Sequence, residues 1–320
     1  MKFNDKQYKY WIWFLRIEKV PSRKKEMLLN QFILPEKIYN LKKSELEKIK
    51  ELSNVEVDEI LNNDYRNNLE KYIEYMIKNN IYLITLFEKE YPEKLKNIYD
   101  KPVALFTVGN IELLKRTSVA IVGSRNCSEY GKYISRKFAY ELAKQNICII
   151  SGLAKGIDKY SHIGALEARG NTIAVIGSGL DNVYPYENIN IFERILKNDG
   201  LIVTEYIVGT KPSKMNFPAR NRIISGLSDA IAVVEAGSRS GALITADFGL
   251  DQGKEVFAVP GNINSYNSQG TNELIKQGAS LITKSEDITE VLGIWTNCIN
   301  VEKKLSILRI LWYNIWVSFI

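Results

Sequence analysis

One nine-residue run gathers the side chains best suited to chemistry with a polyanion. Lys214-Met215-Asn216-Phe217-Pro218-Ala219-Arg220-Asn221-Arg222 sets a lysine three residues ahead of an aromatic ring and two arginines just beyond it. A lysine that neutralises a phosphate beside a ring that stacks a base is the pairing single-strand binders use. A stacked ring contributes about 1–3 kcal/mol per base, enough to favour unpaired over paired strands. Two glycine turns offer a second kind of cradle: Gly123-Ser124-Arg125, and Ser151-Gly152 followed by Lys155 and Gly156. Glycine lets backbone N–H groups face a ligand with no Cβ in the way. A helix starting there adds partial positive charge, and Arg125 can grip a phosphate through two N–H groups. Ser178, Ser238 and Ser240 add short donors, and Lys211 and Arg239 add charge, in further turns of the same kind. Taken singly, each residue has an ordinary alternative: a plain tight turn, Phe217 in a core, Arg220 or Arg222 paired with a carboxylate. Together on one edge they describe a site for a polyphosphate or a nucleic-acid backbone.

The elements that must position these turns are legible from the spacing of apolar residues. Val119–Val122 is a buried-type strand, the helical spacing of Ile134, Phe138 and Leu142 predicts a helix over Tyr133–Lys144, and Ile147–Ile150 is a second strand. Further strands are expected at Thr172–Ile176, Leu201–Thr204, Ala230–Val234 and Glu255–Val259. Helices fit between them at Tyr160–Ala168, Ile189–Lys197, Asn221–Leu227 and Gly241–Gln252. Strand, glycine turn, helix, strand implies right-handed βαβ units and a parallel sheet. Residues 117–292 are therefore read as an α/β domain: a Rossmann-like, doubly wound, mostly parallel sheet with its ligand outside the strand C-termini. Residues 66–116 are read as a linker with edge elements of that sheet: a helix at Leu69–Lys78, strands at Ile81–Thr85 and Val103–Val108, and a turn into a short helix at Tyr91–Leu95. Residues 1–65 read as a small helical module of the SAM or helix-hairpin-helix kind, punctuated by Pro21 and Pro35, with a capping box expected from Ser44 and Glu47. Residues 293–320 are a short apolar tail, read as a truncated winged-helix module or a helix packed on the main domain.

Composition excludes several classes. The 320 residues carry a net charge of +6, which favours an anionic partner without demanding one. One histidine and three scattered cysteines, with no CxxC pair, leave no zinc site and no disulfide framework. No Walker A sequence is present, and GxGxxG is missing after the first strand, so no nucleotide or nicotinamide cofactor is expected. Gly-x-Ser-x-Gly is absent, and His162 has no nucleophile partner; it is placed on the first turn of a helix that Asp158 N-caps. Glu235 and Asp247 are the best acidic candidates, yet neither is visibly paired, and no catalytic residue is assigned. Trp11–Leu15 is too brief for a signal or a membrane span, and the 16 apolar residues from Leu305, interrupted by Arg309, are also short. A cytoplasmic address follows as the default.

The motifs resemble, in order, those of the DNA-processing protein A (DprA/Smf) family. They comprise Gly-Ser-Arg at 123–125, Ser-Gly-Leu-Ala-Lys-Gly-Ile-Asp at 151–158, His-Ile-Gly-Ala-Leu at 162–166 and Thr-Ile-Ala-Val-Ile-Gly-Ser-Gly-Leu-Asp at 172–181 with Tyr184-Pro185. Phe-Pro-Ala-Arg-Asn-Arg-Ile-Ile-Ser-Gly-Leu-Ser at 217–228, Ser-Gly-Ala-Leu-Ile-Thr-Ala at 240–246, Val-Phe-Ala-Val-Pro-Gly at 256–261 and Gly-Thr-Asn-Glu-Leu-Ile-Lys-Gln-Gly-Ala at 270–279 continue the match. The resemblance implies a non-enzymatic cytoplasmic protein that binds single-stranded DNA during natural transformation and loads RecA recombinase on it. It implies DNA contacts by Arg125, the Ser151-Gly152 turn, Lys214, Phe217 and Arg220-Asn221-Arg222. It also implies a homodimer paired through the C-terminal part of the sheet domain, near Asn272, Ile275 and Leu281. Many members carry a C-terminal winged helix, and this chain stops where one would begin.

The rival is a nucleotide-processing enzyme, since the sheet type also resembles the lysine-decarboxylase-like phosphoribohydrolases. Their Pro-Gly-Gly-x-Gly-Thr loop is replaced here by Glu-Ala-Gly-Ser-Arg-Ser-Gly-Ala from Glu235.

Overall fold

The computed structural model describes residues 5–294. The expectations for the tail beyond Ile294 therefore lie outside the described residues. Five helices open the chain: α1 (Asp5–Arg16), α2 (Ser22–Phe32), α3 (Pro35–Tyr39), α4 (Lys43–Leu46) and α5 (Asn54–Leu61). The next segment carries α6 (Leu69–Lys78), β1 (Tyr82–Thr85), α7 (Glu93–Lys96) and β2 (Ala104–Gly109). Regular alternation follows: β3 (Ser118–Val122), α8 (Glu129–Lys144), β4 (Cys148–Ser151), α9 (Ile157–Glu167), β5 (Thr172–Val175), α10 (Ile189–Lys197) and β6 (Leu201–Thr204). It continues through α11 (Asn216–Leu227), β7 (Ala230–Val233), α12 (Gly241–Asp251), β8 (Glu255–Ala258), α13 (Gln269–Lys276), β9 (Ser280–Leu281) and α14 (Ser285–Val291).

The strands form one sheet in the order β1-β2-β6-β5-β4-β3-β7-β8-β9. From β6 to β9 every neighbour is parallel, while β1 and β2 add an antiparallel edge. The chain steps outward from β3 to β6, then returns to lay β7 on the other side of β3. That reversal leaves a crevice outside the C-terminal ends of β3 and β7, where open α/β sheets take their ligands.

Side-chain alternation along a strand explains the layers. Val119 and Ile121 face α8 and α9, packing with Phe138, Leu142 and Ile157. Ala120 and Val122 face the opposite layer, with Ile223 and Ile224 of α11 and Ala246 of α12. A third buried cluster runs without a break from Trp11, Trp13 and Phe14 of α1 to Leu83, Phe106 and Ile202 of the sheet. The helical module thus shares a core with the sheet's antiparallel edge.

Several local expectations change. The N-terminal capping box is Ser53 with Glu56 rather than Ser44 with Glu47, since Ser44 lies inside α4. Helix α8 begins at Glu129, capped by Ser128, and α11 begins at Asn216, so both start earlier than apolar spacing indicated. Strand β9 pairs with β8 over two residues only, too short to leave a periodic signal.

Candidate nucleic-acid interface

The loops after β3 and β7 and the N-termini of α11 and α12 enclose an open groove of about 870 Å³. Its floor starts at Gly123, where Ser124 N–H donates to the Glu235 carbonyl at 2.7 Å and so ties the β3 turn to the β7 turn. Gly156 holds the neighbouring β4 loop against the same turn. Its φ of +73° suits glycine, and an added Cβ would overlap the carbonyl oxygen of Ser124. Ile157 N–H then donates to that carbonyl at 3.2 Å, so the two turns read separately from sequence form one rigid unit.

Gly123, Ser124, Arg125, Lys214, Phe217, Arg220, Asn221 and Ser240 all line the groove. Lys214 is exposed on the loop before α11. Phe217, on the first turn of α11, sets its ring 5.4 Å from that of Tyr184 at an interplanar angle of 31°. The Arg125 guanidinium lies 5.2 Å from the Phe217 centroid, within cation–π range. Gly152 and Lys155 border a small side hollow shared with Arg125, Tyr184 and Phe217. Ser240 caps α12, accepting from Ala242 N–H at 3.3 Å, and so presents that helix's positive end to the groove.

Arg220 is only 4% exposed. Its guanidinium donates to the carbonyls of Gly152, at 2.7 Å, and Val175, fastening α11 to the ends of β4 and β5. Gly152 makes room for it, since a Cβ there would sit 2.6 Å from Nη2. Burial pulls the Arg220 guanidinium down to about 10, with Asp158 opposing. Burial likewise raises the Asp158 carboxyl, against the pull of Arg220 and two backbone donors, Gly152 and Ala154. Asp158 therefore closes the β4 loop from inside α9 and is not the N-cap, a position Gly156 takes.

Two residues named from sequence, Arg222 and Ser151, line neither the groove nor the hollows beside it. Arg222, two positions along α11, turns to the opposite side. It forms a two-pronged pair with Glu205 at 2.7 Å on each arm and a further contact with Asp100 at 3.2 Å. Ser151 is fully buried, its hydroxyl donating to the Ile121 carbonyl at 2.7 Å. Gly156 contributes to a separate hollow rather than to the main groove. Near the far edge of the sheet, Asn272 spends its side-chain amide on the backbone of Gly261, Ile275 is half-buried, and Leu281 is half-exposed on the outermost strand.

Sequence reasoning missed Tyr184, Tyr266 and Asn267 as groove residues. Tyr184 had a signal, since it follows the glycine turn after β5. Tyr266 and Asn267 had none: they arrive through a loop beyond β8 that folds back onto Gly237 and Asn126. Glu235, the leading acidic candidate, is buried and accepts from Ser128 N–H at 2.8 Å and from the Ser128 hydroxyl, which leaves it holding the first turn of α8. His162 lies in mid-helix, fully buried, with Nδ1 2.7 Å from the Thr172 hydroxyl. Thr172 donates its proton to the Ile149 carbonyl, so Nδ1 carries the ring's hydrogen. Among the described residues, no group of three or more His, Cys, Asp or Glu side chains is placed to hold a metal.

The groove's chemistry is lopsided: Arg125, Lys214, Arg220 and Arg239 line it against one carboxylate, Asp158. The family model of DNA recombination-mediator protein A matches residues 82–293. The chain belongs to that family. DNA processing protein DprA of Streptococcus pneumoniae is 48% identical over 198 residues, covering 62% of this chain and 70% of that protein. DprA of Bacillus subtilis is 44% identical over 210 residues, covering 65% and 70%. The X-ray structure of the pneumococcal protein superposes with a TM-score of 0.76 at 36% identity, covering 91% of this chain and 98% of that one. DNA processing protein A of Helicobacter pylori, described for its single-stranded DNA binding mode, gives a TM-score of 0.60 at 33% identity over 66% of this chain and 95% of its own. The family's Rossmann-like α/β sheet is the one seen here. Among the described residues, no helix is long and apolar enough to cross a membrane.

Proposed function

We propose that this chain binds single-stranded DNA in the groove between β3 and β7 and acts as a recombination mediator in natural transformation, passing the strand to RecA. The observation that carries the reading is the combination of an exposed Lys214, a Phe217–Tyr184 ring pair under Arg125, and two helix N-termini on one rim. Phosphates meet Lys214, Arg125 and the helix ends, and unpaired bases meet the rings. A duplex hides its bases from those rings, so the site favours single strands. Arg220 and Gly152 act beneath the contact surface by fixing the pose of α11.

Family membership and the single-strand binding described for the Helicobacter pylori protein support the same reading. It includes a cytoplasmic setting, pairing of two copies near Ile275 and Leu281, and no chemical turnover. Nothing in the groove favours the hydrolase alternative, because Glu235 is committed to Ser128 and Asp158 to its own loop.

A mobility shift with matched single- and double-stranded oligonucleotides at two salt concentrations tests the binding. Preference for the single strand with strong salt dependence is the expected result, and equal affinity for both forms contradicts it. Release of free base from nucleoside monophosphates would contradict the absence of turnover. RecA filament assembly with and without the protein measures the hand-over.

A further inference from the structure

Helix α8 covers one face of the sheet, and its outer face has an unusual composition. Tyr130, Tyr133 and Tyr140 are 50%, 62% and 40% exposed. With Lys137 and Lys144 they recur at steps of three and four residues, so all five fall on one side of the helix. Solvated helix faces ordinarily carry charged residues; three large rings on one are a departure. The Lys144 ammonium sits 5.6 Å from the Tyr140 ring centroid.

The helix that bears this face approaches the groove at its N-terminal end. Beside the groove lies a hollow of about 320 Å³ lined by Arg125, Lys155, Lys159 and Tyr160, and α8 enters its lining through Lys132. Arg125 belongs to both cavities, and Lys132, on the first turns of α8, stands 5.8 Å from the Tyr160 centroid. Three acidic residues oppose this charge: Glu129 pairs with Lys132 at 2.5 Å, Glu187 with Lys155 at 2.7 Å and Glu141 with Lys137 at 3.9 Å. All three pairs are solvent-exposed, and such pairs contribute little, so a phosphate can displace the carboxylate.

We propose that the Tyr133–Tyr140 face of α8 is a second contact track for single-stranded DNA, reached through the Lys132–Lys159 hollow by a strand leaving the groove at Arg125. The proposal rests on the groove being the primary single-strand site. Interleaved rings and lysines are the sequence-tolerant arrangement for unpaired bases and their phosphates. Tyr133 and Tyr140 stand about 10 Å apart along the helix at 1.5 Å per residue, so separate bases of one strand can meet them. A track of this kind adds length-dependent affinity without adding sequence preference.

The test uses the full chain and fluorescent oligothymidylates of about 6 and about 20 nucleotides, lengths chosen to fill one site or run past it. The variants are Tyr133→Ala with Tyr140→Ala, and Lys137→Gln with Lys144→Gln. Affinity for the short strand is expected to stay within about twofold, while the tyrosine pair weakens the long strand about thirtyfold, the loss of two stacking contacts at the low end of their range. The lysine pair is expected to lower the salt slope for the long strand by about 1.4 in log–log units, two phosphates at about 0.7 each. Equal effects on both lengths, or none on either, would overturn the track. Arg125→Ala separates the two levels: if it weakens both lengths while the α8 variants do nothing, the groove stands and the track fails. If Arg125→Ala leaves both lengths untouched, the groove reading fails and takes the track with it. The altered side chains are exposed, so thermal melts of these variants should match the parent.

Discussion

Glu205→Gln separates what holds α11 in place from what touches DNA. In the folded protein the Glu205 carboxylate and the Arg222 guanidinium are 12% and 5% exposed at the side chain, and they meet through two 2.7 Å hydrogen bonds. Glutamine keeps the shape but removes the charge and turns an N–H₂ group toward a donor-only guanidinium. Removing one partner of a buried pair costs about 3–5 kcal/mol, because the other charge stays behind uncompensated. Asp100, 3.2 Å from Arg222 and half-exposed, retains part of the compensation, so the low end, about 3 kcal/mol, applies here. At roughly 2 °C per kcal/mol for a chain of this size, the melting temperature should fall by about 6 °C. The assay is thermal melting by circular dichroism alongside oligonucleotide binding at 20 °C. Because Arg222 faces away from the groove, affinity should change less than about twofold, well under the tenfold that 1.4 kcal/mol represents. A variant that melts like the parent yet loses binding would refute the assignment and return Arg222 to the DNA surface.

Three further substitutions probe buried groups. Lys25 is buried beneath α1, and burial pulls its ammonium down to about 8, with Glu205 and Glu18 opposing. A base depressed in the fold loses stability as pH falls from its unfolded value toward 8, so Lys25→Met should stabilise the protein at pH 7 by about 3 kcal/mol. Urea unfolding should show that gain shrinking as pH rises from about 8 toward 10.5; a pH-independent effect would contradict the burial argument. His162 is the chain's one histidine, and burial pulls its imidazole down to about 3, with Arg220 adding to the shift. The unfolded state takes a proton there near pH 6.5 and the folded state does not, so stability is full above that value and declines as pH falls toward 3. Relative to the parent, His162→Gln should flatten the stability profile between pH 6.5 and 5 by about 2 kcal/mol; parallel profiles would contradict the assigned environment. Gly156→Ala should destabilise by at least about 1 kcal/mol and weaken oligonucleotide binding together, because its positive φ and the Ser124 carbonyl both exclude a Cβ. An unchanged melt would show that the two turns move independently.

The parallel strands from β3 to β8 were legible because they are short apolar runs, most of them followed closely by glycine, with helical spacing of apolar residues between them. The gathering of Arg125, Lys214 and Phe217 was legible because the turn after β3 and the loop leading into α11 are brought to one edge by a doubly wound sheet, although Phe217 lies on the first turn of that helix. The fates of Arg220 and Arg222 were not. Two positions apart on a helix, they point to different sides, and the partner that claims Arg222 comes from the end of β6, which lies beyond any local pattern. The capping box was read at Ser44–Glu47, and the equally spaced Ser53–Glu56, which forms it, was not named because the S-x-x-E spacing alone does not say where a short helix begins. Strand β9 and the loop bearing Tyr266 depend on pairing and refolding onto β8 and β7, which no run of residues announces.

The most direct check compares oligothymidylate binding by the parent and an Arg125→Ala, Lys214→Ala double variant across a salt series. Two lost phosphate contacts should weaken binding by an order of magnitude or more at low salt and reduce the log–log salt slope by about 1.4. Unchanged affinity and an unchanged slope would place the single strand somewhere other than the groove between β3 and β7.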